Sequence, residues 1–101
     1  MLPESIQIGA HVYSLTLVGR KKLQKNHTAE VDNEQNQIRI YQKCTASRRI
    51  EVLFHEVIHA ILAGTQFPME EVTCTILGEG LTQLIRDNPE LIKHVQDTLA
   101  E

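Results

Sequence analysis

The chain has 101 residues, 42% of them hydrophobic and 23% charged, with a net charge of −3. That length supports one modest core without obligatory cross-links, and the composition excludes disorder. The acidic balance excludes a broad electrostatic grip on nucleic acid, and no apolar run reaches the roughly 20 residues that span a bilayer.

The N-terminal stretch MLPESIQIGAHVYSL lacks a basic region followed by an apolar one, so it does not read as a signal peptide. Ser5–Ile8 and His11–Val18 are strand-like and broken by Gly9-Ala10. In the second, Tyr13, Leu15 and Leu17 alternate with Val12, Ser14, Thr16 and Val18, which gives one strongly apolar face. Gly19 to His27 is a basic, polar connector. Thr28–Asp32 and Gln37–Gln42 follow as two strands around the turn-rich Asn33–Asn36, with Ile38 and Ile40 on one side and Gln37, Arg39 and Tyr41 on the other. An antiparallel meander of three to four strands with one wet face is expected.

After Cys44 the period becomes helical. A helix is expected over Ser47–Ala63, capped by Thr45 or Ser47 and stopped at Gly64. Its apolar residues wrap most of the circumference, which predicts burial on nearly all sides. Pro68 suits the first turn of a second helix, Met69 to Arg86, and Asn88-Pro89 separates it from a third, Glu90 to Leu99. The sum is an α+β fold in one domain, residues 1–101, with an N-terminal sheet packed on three C-terminal helices.

The first helix carries His55-Glu56-Val57-Ile58-His59, an H-E-x-x-H pattern. Residues four apart share a helix face, so the two imidazoles can serve one tetrahedral Zn²⁺. Glu56 points about 100° away around the helix, placed to take a proton from water rather than to ligate. Val52, His55, His59 and Leu62 form a single stripe, and burying two imidazoles without partners costs several kcal/mol.

A third ligand must come from elsewhere, and the second helix offers Glu70, Glu71, Glu79 and Asp87. Its inward stripe is expected to be Cys74, Leu77, Leu81, Leu84 and Ile85, with small Gly78 permitting close approach. Stepping about 100° per residue turns Glu79 to solvent and leaves Glu70 or Glu71 beside the inward face. Periodicity does not choose between them.

The run Leu53–Ala60, followed by a second helix and Leu84-Ile85-Arg86-Asp87-Asn88-Pro89, resembles the ImmA/IrrE-like zinc metallopeptidases, small phage and bacterial members in particular. The resemblance implies a zincin-like fold. It also implies a gluzincin-like site in which His55, His59 and a distal glutamate bind Zn²⁺ and Glu56 is the general base. Aligning the family's pattern on Cys74, Leu77, Gly78 and Leu81 assigns that glutamate to Glu71, with Glu70 as alternative. The chain departs from the family in lacking its C-terminal Leu-Leu-x-Pro signature.

The function so implied is hydrolysis of peptide bonds in a peptide or protein substrate, without nucleic-acid or membrane partners. The alternative is a non-catalytic, zinc-stabilised binding or regulatory module of phage origin. The strand with Ile38 and Ile40 is a candidate to hold an extended substrate, and Tyr13 or Tyr41 to stabilise an oxyanion. Arg48 and Arg49 could meet substrate, although exposure is their default. His11, His27 and His94 read as bystanders, and Arg20-Lys21-Lys22 with Lys25 as a solvated loop. Two cysteines, Cys44 and Cys74, thirty residues apart, suggest reduced thiols and a cytoplasmic protein.

Overall fold

The computed structural model describes residues 2–101 as a four-stranded sheet followed by three helices. The strands are β1 (Ser5–Ile8), β2 (His11–Val18), β3 (Ala29–Asp32) and β4 (Gln37–Tyr41), and the helices α1 (Ala46–Leu62), α2 (Glu70–Asp87) and α3 (Pro89–Leu99). The α+β expectation holds. No helix among the described residues is long and apolar enough to cross a membrane.

The sheet is mixed rather than a meander, in the order β1-β2-β4-β3. β1 and β2 form a hairpin across Gly9-Ala10, where Gly9 takes φ +59°, a conformation that costs glycine little. β3 and β4 form a second hairpin, its turn held by the Asp32 carboxylate, which accepts from the backbone N–H of Glu34 and Gln35. Between these hairpins, β2 and β4 pair in parallel. The reason lies in the segment between β2 and β3, residues 19–28, which is too long for a tight hairpin. It contains a 3-10 turn at Arg20–Lys22, buries Leu23, and lays Arg20 over the Tyr41 ring at 4.1 Å. It therefore carries the chain past the position that β4 later fills.

Alternation along the strands sends Ile6, Ile8, Tyr13, Leu15, Val31, Ile38 and Ile40 to one face, which α1 covers with Val52, Leu53, Val57 and Ala60. Ile38 and Ile40 are fully buried. The helix starts at Thr45, whose side chain accepts from the Arg48 backbone N–H, and the chain turns away at Gly64 with φ +79°. α1 is less enclosed than its composition predicts, since the sheet and α2 cover two sides only. Ile50 and Ile61 remain exposed.

α2 runs antiparallel to α1: its start lies by His59, and Gly78 lies against His55 and Glu51. Of its expected inward stripe only Cys74 is buried, joined by Gly78, while Leu77, Leu81, Leu84 and Ile85 are exposed. α3 packs mainly on α2 and buries no residue.

Gly78 sets the spacing of the two helices. A Cβ there would stand 3.2 Å from the His55 backbone N and 3.4 Å from its Cα, whereas one at Gly80 would meet nothing within 4 Å. Gly80→Ala should therefore stabilise the protein by about 0.5–1 kcal/mol through helix propensity. Gly78→Ala should lose that gain to the backbone clash and unfold at lower urea. Equal stabilisation by both would show that the close approach is unimportant.

Candidate metal centre

His55 and His59 project from the same face of α1, and the first turn of α2 brings two glutamates to them. The loop between the helices, residues 63–69, places Gln66 and Met69 at φ +58° and +54°. These are costly left-handed positions for residues other than glycine, and they set the rotation at which α2 begins.

The His55 and His59 Nε2 atoms lie 3.2 Å apart. The Glu71 carboxylate spans both, at 2.9 Å from His55 Nε2 and 2.8 Å from His59 Nε2. Glu70 reaches the other side of the same ring, 2.6 Å from His59 Nδ1. The two glutamates, one residue apart, thus take different tasks. With Nδ1–H donated to Glu70, loss of the Nε2 proton would turn that nitrogen's lone pair toward His55 and Glu71.

Three electron-pair donors then converge on one point, a set that a shared cation satisfies. His55, His59 and Glu71 could hold a metal ion, their donor atoms all within 4.8 Å of one another. A second set, His59, Glu70 and Cys74, meets the same distance test. Its chemistry is poorer: burial, then the charges of Glu70, Glu71 and Glu56, pushes the Cys74 thiol up to about 11, away from the thiolate a metal needs.

Glu56 is buried in the α1 wall of the cleft, at 8% exposure. Burial pushes its carboxyl up to about 7, opposed by His59 and His27 and reinforced by Glu71 and Glu30. For His59, burial disfavours the charged form. Hydrogen bonds to Glu70 and Glu71 and the charge of Glu56 outweigh it, so its pKa is raised. These residues line an open cleft of about 800 Å³ whose far wall is β3 with the flanking residues Gln24, His27, Thr28 and Asn33.

Other sequence expectations fall away from this cleft. Tyr13 is a core residue whose hydroxyl donates to Asn33 Oδ1 at 2.7 Å, and Tyr41 lies under Arg20. Arg48 pairs with Glu51, and Arg49 donates to the Gln42 carbonyl. Neither arginine lines the cleft, nor do His11 and His94. Conversely, His27 and Glu30 do line it. Their i, i+3 spacing at a strand start was the only sequence signal for the pair.

Comparison of the chain with models of known protein families, with curated proteins and with solved structures yields no match.

Glu56 supplies a pH test. Its folded-state value lies above the ordinary 4.5, so the folded protein holds this proton more tightly than the unfolded chain. In metal-free protein its contribution is fully present below about pH 4.5 and is lost as pH rises through about 7. Glu56→Gln should accordingly stabilise the chelator-treated protein at pH 8 relative to pH 4.5, by about 1–3 kcal/mol in urea unfolding. A pH-independent effect would contradict the burial of an ionisable acid here.

Proposed function

We propose that the chain is a zinc-dependent, peptidase-like hydrolase acting on peptide or protein substrates. The observation that carries the reading is the convergence of His55 Nε2, His59 Nε2 and the Glu71 carboxylate beside a buried acid, Glu56, in one cleft. The 3.2 Å between imidazole nitrogens suits zinc, since Zn–N bonds of about 2.0–2.1 Å give a tetrahedral edge of about 3.3 Å. The H-E-x-x-H spacing and the resemblance to ImmA/IrrE-like metallopeptidases favour the same chemistry.

Bound at this triad, the ion would polarise a carbonyl and lower the pKa of a coordinated water to about 7. Glu56, with its own value near 7, is matched to accept a proton from water and pass it to the leaving amine nitrogen. Glu70 holds His59 in the tautomer that leaves Nε2 free. An extended substrate fits β3 better than the strand with Ile38 and Ile40. β4 is paired on both sides, whereas β3 is the sheet edge and borders the cleft.

The non-catalytic alternative draws support from the exposed Leu77, Leu81, Leu91 and Val95 of α2 and α3, which offer an apolar surface to another protein. Hydrolysis of an unfolded protein such as casein by zinc-loaded chain separates the two. The peptidase reading expects Glu56→Gln to keep its zinc and lose activity on the order of 10²–10⁴-fold. Zinc binding without any hydrolysis, or hydrolysis unaffected by Glu56→Gln, would favour the binding module or overturn the role of Glu56.

A further inference from the structure

Across the cleft from α1, His27 and Glu30 form a dyad that the metal triad does not use. His27 Nδ1 lies 2.8 Å from Glu30 Oε2. The same oxygen accepts the Gln24 backbone N–H at 2.8 Å, and Arg39 stands 3.5 Å from the other oxygen. Glu30 is thus a fixed post, its side chain 12% exposed, while that of His27 is 47% exposed and free to meet a ligand. Burial raises the pKa of Glu30, but the Gln24 and His27 hydrogen bonds, the His27 charge and Arg39 more than offset it, so the pKa is lowered. As a carboxylate, Glu30 can only accept, which puts a proton on Nδ1 and leaves Nε2 as the ring atom available to the cleft.

We propose that His27, oriented by Glu30, donates from Nε2 as an imidazolium to the scissile carbonyl oxygen as negative charge develops there. This deepens the peptidase reading and rests on it. Both His27 and Glu30 line the same cleft as His55, Glu56 and His59. A substrate on the edge of β3 passes the dyad, because His27 stands two residues before the strand begins. Tyr13 and Tyr41 are held elsewhere, and the other cleft-lining cation, Arg39, is paired with Glu30. No covalent bond to His27 is involved: it offers a charged hydrogen bond that strengthens as the carbonyl becomes tetrahedral. Glu30 is a positioning residue, acting only through the ring.

Two probes separate this role from the metal's. A phosphinic pseudopeptide carries a tetrahedral anion like that of the reacting carbonyl, whereas acetohydroxamate needs little beyond the metal. In zinc-loaded protein, His27→Ala should weaken the phosphinic probe about 10²-fold, leaving zinc content and acetohydroxamate affinity unchanged. His27→Gln, which keeps a neutral donor, should recover part of the loss. In metal-free protein, the ring ¹⁵N shifts should show His27 protonated at Nδ1, and Glu30→Gln should alter them without unfolding the chain. Unchanged phosphinic affinity in His27→Ala overturns the proposal alone, as does equal weakening of both probes. Failure of the parent protein to bind zinc or acetohydroxamate overturns the underlying site reading, and this proposal with it.

Discussion

The site depends on how closely α2 can lie on α1. Two histidines on one helix face are half of the candidate metal centre, and the other half comes from a helix that must approach within backbone contact. Gly78 permits that approach at His55 itself, the residue whose side chain faces Glu71. The same contact seals Cys74 and leaves the first turn of α2 beside His59, where Glu70 and Glu71 divide the two ring nitrogens between them.

The sheet contributes the opposite wall. Ile38 and Ile40, fully buried beneath α1, fix β4 in the interior, and the β3–β4 hairpin then has to place β3 at the edge. An edge strand beside a buried acid is a useful combination: unpaired backbone groups can hold an extended chain, and burial gives Glu56 a proton affinity suited to neutral pH. Core packing, through the exclusion of water from Glu56, therefore tunes the group on which the proposed chemistry turns.

Local signals were legible in the sequence. The 3.6 period around HEVIH, the Thr45 cap and the Gly64 stop all locate α1 to within a residue. The facing of Ile38 and Ile40 follows from strand alternation. What depends on distant packing was not legible. The parallel pairing of β2 and β4 arises from the route of residues 19–28, and no propensity encodes that route. The exposure of Leu81, Leu84 and Ile85 depends on what packs against α2, which its own period cannot show. Glu70 and Glu71 differ by about 100° around the helix, and the left-handed residues Gln66 and Met69 set which faces which nitrogen. His27 gained meaning only when β3 was placed across from Glu56.

The central claim is that His55, His59 and Glu71 form one zinc site. X-ray absorption at the zinc edge of the reconstituted protein tests it most directly. The expected result is one ion per chain, with two imidazole nitrogens at about 2.0–2.1 Å, carboxylate oxygen and no sulfur. A sulfur shell near 2.3 Å would move the ion to Cys74, and the absence of stoichiometric zinc would contradict the site altogether.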